Sequence, residues 1–162
     1  MEKGKLSYRT DVRYADRELV HKIASSSGFF SPVEIDIAVE LVDEHLSKGK
    51  ESEYFFLFAD RDGRAVGYTC FGPIAGSTHS YDLYWIAVHN RFRRCGIGKG
   101  LLVRSEELIL QQGGRHIYID TSSRPQYEPT RSFYSAQGYR EGAFLEDFYA
   151  PGDGKIIYVK TI

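Results

Sequence analysis

The residues most able to do chemistry lie in one stretch, Val88-His89-Asn90-Arg91-Phe92-Arg93-Arg94-Cys95-Gly96-Ile97-Gly98-Lys99-Gly100-Leu101-Leu102. Arg91, Arg93, Arg94 and Lys99 place four cations within nine residues. The chain as a whole is near neutral, with 21 basic and 22 acidic residues. An apolar run precedes the stretch and an amphipathic helical pattern follows it. A helix start leaves amide N–H groups without intrahelical partners and carries partial positive charge. Glycines let the backbone approach an anion closely. Together these make a phosphate site.

The spacing narrows the ligand. A Walker loop needs Gly, four residues, then Gly-Lys-Ser/Thr. Here Gly98-Lys99 is followed by Gly100, and Arg93 occupies the place of the first glycine. A dinucleotide fingerprint starting at Gly96 needs Gly or Ala at position 101, which is Leu101. Both fail, which argues against a nucleotide-phosphate enzyme. What remains is Arg93-x-x-Gly96-x-Gly98 after a strand.

The surrounding elements must position that loop. Residues 80–88 read as a strand, Ser80 to Val88, with apolar residues on both faces, so it is expected to be central in a sheet. The following helix is expected over 98–112 and ends at Gly113-Gly114. Upstream, strands are expected over 6–12, 53–59 and 64–72. A helix is expected over 13–24. A second helix starts at Pro32, with Ser31 and Glu34 spaced as a capping box. Downstream, a strand over 116–121 and a short helix over 129–137 lead to a closing hairpin of 139–149 with 155–162. The order is β-α-α-β-β-β-α-β-α-β-β, a mixed α/β sheet of about seven strands and four helices. No repeat or linker interrupts it, so a single domain over 1–162 is expected.

This combination resembles the GNAT family of N-acetyltransferases. Its signature is Gln/Arg-x-x-Gly-x-Gly/Ala between a strand like Leu83-Tyr84-Trp85-Ile86-Ala87-Val88 and a helix. A later segment like Thr130-Arg131-Ser132-Phe133-Tyr134-Ser135-Ala136-Gln137-Gly138-Tyr139 follows. The resemblance implies the GNAT fold and acetyl-CoA as donor. Backbone amides of Arg94, Cys95, Gly96, Ile97, Gly98 and Lys99 would hold the pyrophosphate of coenzyme A, with the Arg93 and Arg94 side chains close by. The strand edge at Ile86, Ala87 and Val88 would pair with the pantetheine arm. Tyr134 would be the general acid for the departing thiolate. The family often uses a Glu near this strand to accept the amine proton. None stands there; Asp82, the nearest carboxylate, is the candidate for that role, with Tyr84 orienting a water as the alternative. The residue types leave alternatives open. Asp82 could only begin a strand, Tyr134 could be a core aromatic, and Cys95 reads as small filler whose amide matters. Phe29, Phe30 and Glu34 are loose candidates for acceptor contacts.

The resemblance implies an amine acceptor, on a small molecule or a protein. A non-catalytic acyl-CoA-binding sensor of the same fold is the rival reading. Composition calls for neither nucleic acid nor membrane. No run approaches the ~20 apolar residues of a membrane helix. Two cysteines, Cys70 and Cys95, lack metal-site spacing and fit a reducing cytoplasm. The five histidines show no ligand spacing, so no metal is expected. Members of the family are often dimers, and no stretch of this chain specifies an interface. Gly98→Val is expected to abolish coenzyme A binding while the fold survives, because Cβ bulk blocks the backbone's approach to phosphate. Calorimetry checks this, and unchanged affinity would refute the loop assignment.

Overall fold

The structure is a computed structural model and describes residues 4–162. Seven strands and four helices follow in the order β1 (Leu6–Arg9), α1 (Asp16–Ser26), α2 (Pro32–Lys48), β2 (Phe55–Arg61), β3 (Arg64–Pro73), β4 (Ser80–Val88), α3 (Ile97–Gln111), β5 (His116–Ser122), α4 (Glu128–Ala136), β6 (Arg140–Ala150) and β7 (Asp153–Thr161). The strand order is β1-β2-β3-β4-β5-β7-β6. The β4–β5 pair is parallel, whereas β1–β2, β2–β3, β5–β7 and β6–β7 are antiparallel. The mixed sheet expected from the element order is therefore present, with β4 inside it.

The chain packs as two compact units. The first comprises the segment up to Gly72 with Trp85–Glu107, and the second comprises Pro73–Tyr84 with Leu108–Ile162. In the first unit, the capping box at α2 forms on both sides. Ser31 Oγ accepts the Glu34 N–H at 3.2 Å, and Glu34 Oε2 accepts the Ser31 N–H at 2.6 Å. Glu34, one of the loose acceptor candidates, is thereby engaged as a cap. Asp62 and Gly63 both take positive φ (52° and 80°) between the paired Arg61 and Arg64. That is the two-residue hairpin turn Asp-Gly favours, because its twist matches the strands.

Val20 and Ile23 of α1 and Ala38 and Val42 of α2 cover Phe56, Phe58, Tyr68 and Cys70 of β2 and β3. The rings of Phe56, Phe58 and Tyr68 stack with centroids 5.8–6.3 Å apart. Arg9 closes this core from β1. It reaches Asp16 of α1 at 2.6 Å and Asp60 of β2 at 2.8 Å, and lies 4.3 Å from the centre of the Phe58 ring. A buried arginine needs such partners, since an uncompensated buried charge costs several kcal/mol.

In the second unit, Ile117 and Ile119 of β5, Tyr134 of α4, Tyr139, and Ile156 and Tyr158 of β7 form the buried interior. Tyr81 of β4 packs at the end of α3, its hydroxyl donating to Gln112 Oε1 at 3.2 Å. The β6–β7 ladder is interrupted between Glu141 and Ala143 and again between Leu145 and Ala150. These bulges break up the outermost strand, as edge strands commonly require.

Expected and observed limits differ mainly at element ends. The first strand is shorter, ending at Arg9, which still pairs with Phe58 in the ladder. The first helix starts at Asp16, whose Oδ2 accepts the Arg13 N–H at 2.7 Å. Ser31→Ala should cost about 1 kcal/mol of stability by removing one half of the capping box. Denaturant unfolding checks this, with an unchanged midpoint as the refuting result.

Candidate functional site

In the first unit, the chain leaves β4 at Val88 and enters a single turn of 3₁₀ helix at Asn90–Phe92. His89 Nδ1 accepts the Arg91 N–H at 3.2 Å, and the Asn90 N–H donates to Ser26 Oγ on α1 at 3.0 Å. Arg94 and Gly96 then take positive φ, 58° and 78°. Such alternation lets successive N–H groups converge on one anion. A non-glycine residue in this region is uncommon and marks functional backbone often enough to be informative. The first helical bond of α3 runs from the Gly100 N–H to the Gly96 carbonyl at 3.0 Å. The amides of Ile97, Gly98 and Lys99 therefore precede the intrahelical pattern.

Packing fixes this helix start. Ile97, Leu101, Leu102 and Ser105 are buried. Ser105 and Thr69 of β3 share a buried hydrogen bond of 2.7 Å. Gly67 of β3 lies so close that a Cβ there would sit 3.1 Å from Leu101 Cδ1 and from the Ala87 carbonyl oxygen. Gly100 packs against the Tyr8 hydroxyl, and Arg104 stacks 4.0 Å from the centre of the Tyr8 ring. The helix can thus present polar N–H groups without drifting.

The four cations of the loop make no ion pair with any carboxylate among the described residues. Arg91, Arg93, Arg94 and Lys99 are all exposed. Four unneutralised positive charges beside the positive end of a helix dipole fit a multiply charged anion such as a diphosphate. Cys95 is exposed, and its thiol donates to the Arg93 carbonyl at 3.4 Å. Ile97 has its side chain in the core, so only its amide is available. Ile86, Ala87 and Val88 are partly exposed on β4. Two of the loose acceptor candidates lie beside this loop and strand: Phe30 packs on Trp85 of β4 with centroids 4.9 Å apart, and the Arg93 guanidinium lies 6.0 Å from the centre of the Phe29 ring.

In the second unit, Tyr134 is only 4% exposed, ringed by Phe133, Tyr139 and Tyr158 at centroid distances of 5.7–6.1 Å. Burial, with Tyr158 adding to it, pushes its phenol well above the ordinary tyrosine value. The group therefore stays protonated across the neutral range. Asp82 is half-buried on β4, and its carboxyl is raised above the usual aspartate value. Burial is the main cause, Asp120 adds to it, and Lys155 opposes it. The β4–β5 ladder pairs Ser80 with His116, Tyr81 with Ile117 and Asp82 with Tyr118, and Asp82 is its last paired residue. Lys155 Nζ lies 2.8 Å from Asp120 Oδ2. Neither Asp120 nor Lys155 carries a local sequence signal, because the register of three strands brings them to this face.

Among the described residues no group of three His, Cys, Asp or Glu side chains could hold a metal ion, and no helix is long and apolar enough to cross a membrane.

The fold and the glycine-rich helix start define an acyl-CoA type of transferase, and comparison with known proteins agrees. The model of the acetyltransferase (GNAT) family matches residues 21–139, and the chain belongs to that family. A crystal structure of a GNAT-family protein from Desulfovibrio desulfuricans superposes with a TM-score of 0.95. It is 41% identical and covers 97% of this chain and 99% of that one. An uncharacterised N-acetyltransferase of Methanocaldococcus jannaschii is 32% identical over 105 residues, 65% of this chain and 65% of its own length. PaiA N-acetyltransferase from Thermoplasma acidophilum, solved with coenzyme A, shares the fold. Its TM-score is 0.73 at 19% identity, covering 98% of this chain and 99% of that one.

Replacing Arg93 and Arg94 together by alanine should weaken coenzyme A binding about tenfold or more at low salt and flatten the salt dependence of what remains. Calorimetry at two ionic strengths tests this, and affinity within twofold of the parent would remove these side chains from the site.

Proposed function

We propose that this chain is an acetyl-CoA-dependent N-acetyltransferase that acts as one domain and delivers acetyl to a primary amine by direct attack. The observation that carries this reading is the set of unpaired amides at the start of α3 beside four unneutralised cations. The thioester supplies the activated acetyl group. The amides from Arg94 to Lys99 hold the diphosphate. The β4 backbone at Ile86, Ala87 and Val88 accepts the pantetheine arm, and an amide there polarises the thioester carbonyl. As the N–C bond forms and the C–S bond breaks, Asp82 takes the proton lost by the amine. Tyr134 gives a proton to the departing sulfur.

The electrostatics support these roles. Tyr134 is in the protonated form that a general acid must start from, and burial makes it a weaker acid than an ordinary tyrosine. A raised carboxyl sits closer to the operating pH than an ordinary aspartate, where a general base works best. The sign follows directly. Asp82 can accept a proton only while ionised, so activity falls as pH drops through its raised value, earlier than an ordinary aspartate would dictate. The acceptor is a small amine or a protein amine. A GNAT enzyme with free thiols at Cys70 and Cys95 suits the cytoplasm.

The test is thiol release from acetyl-CoA across a panel of amines. Tyr134→Phe should lower kcat by about 10²–10⁴ with coenzyme A affinity unchanged. Asp82→Asn should abolish the acidic limb of the pH profile along with most turnover. Parent-like rates in both variants would remove these roles. Silence across the panel despite tight coenzyme A binding would instead make the chain a non-catalytic acyl-CoA-binding module.

A further inference from the structure

Three strands of the second unit bring three ionisable side chains onto one face. β4 runs parallel to β5 with Asp82 beside Tyr118. Asp120 lies two residues further along β5, hence on the same face as Tyr118. β7 pairs with β5 so that Ile157 stands opposite Asp120 and Lys155 opposite Ser122. Ile157 and Lys155, two apart, again share that face. Asp82, Asp120 and Lys155 are therefore successive cross-strand diagonal neighbours, a separation that long or charged side chains span. The side chains follow the register, with Lys155 Nζ 2.8 Å from Asp120 Oδ2. The same ammonium lies 4.3 Å from the centre of the Phe148 ring of β6. Lys155 is thus held by a carboxylate and a ring face together.

The other neighbours of Asp82 bring no charge. Tyr118 is its pairing partner and Tyr84 follows two residues along β4. Asp120 and Lys155 are the charged groups that act on it, in opposite directions. Two carboxylates this close would compete for a proton, since ionising one disfavours ionising the other. A cation on Asp120 removes that competition.

We propose that Lys155 is a positioning residue of the reaction: by neutralising Asp120 it keeps the neighbouring Asp82 carboxylate free to take the proton of the acceptor amine. This rests on the reading of Asp82 as the proton acceptor. Asp120 is then a counter-ion rather than the base, and Phe148 steadies the ammonium between substrate turnovers.

The experiment uses the full chain labelled with ¹³C at the aspartate carboxyl carbons, titrated by NMR, with Asp82→Asn to assign the resonance. Lys155→Met should raise the Asp82 midpoint by about one pH unit, a tenfold change in proton affinity. Asp120→Asn should lower it, and Lys155→Arg should restore the parent value. The acidic limb of kcat/KM for the fastest amine of the panel should move the same way in each variant. Should Lys155→Met fail to fold, the Asp120→Asn shift alone decides, because it must be downward. An Asp82 midpoint that ignores both changes, or moves upward in both, overturns the proposal even if Asp82→Asn is inactive. Parent-like turnover in Asp82→Asn sinks the underlying reading as well. Loss of the acidic limb in Asp120→Asn but not in Asp82→Asn would move the base to Asp120 and likewise overturn the proposal.

Discussion

The first turn of α3 must leave its N–H groups without protein partners and still be held in place. Those two demands conflict, because polar groups left unpaired are normally stabilised by water or by movement. The chain resolves the conflict on the far side of the helix. Leu101, Leu102 and Ser105 are buried, Gly67 allows the backbone of β3 to approach, and Tyr8 fills the space that a side chain at residue 100 would need. The donors remain available because everything behind them is packed. The positive φ of Arg94 and Gly96 belongs to the same arrangement, since it lies where the chain turns from the 3₁₀ turn at Asn90–Phe92 into α3.

Charge placement follows from this. Elsewhere in the first unit several cations are matched: Arg9 with Asp16 and Asp60, Arg17 with Asp43, Lys48 with Glu44. In the loop they are left unmatched. A near-neutral protein that leaves four basic residues unpaired at one helix start has a local anion preference that its net charge conceals.

In the second unit, burial acts on two groups in the same direction with different consequences. Desolvation disfavours the charged form of both Tyr134 and Asp82. For the phenol that preserves the proton it would donate. For the carboxylate it would eventually remove the ability to accept one, so the neutralised Asp120 on the neighbouring strand matters more to Asp82 than to any group that is already charged.

Much of this was legible in the residues themselves because it depends on local chemistry. Ser31-Pro32 and Glu34 define a capping box through hydrogen bonds three residues apart, and Arg93-x-x-Gly96-x-Gly98 marks the helix start through glycine and charge. The order of seven strands and four helices followed from periodicity. What the sequence could not determine depends on partners distant along the chain. That Glu34 is spent on its own cap, that Tyr134 sits among three rings, that Ser26 steadies the loop, and that Asp82, Asp120 and Lys155 share a face are decided by strand register and packing. Register is a global property, because a slip of one residue sends a side chain to the opposite face of the sheet. Local patterns therefore state which residues could do chemistry, and only the tertiary structure decides which of them meet.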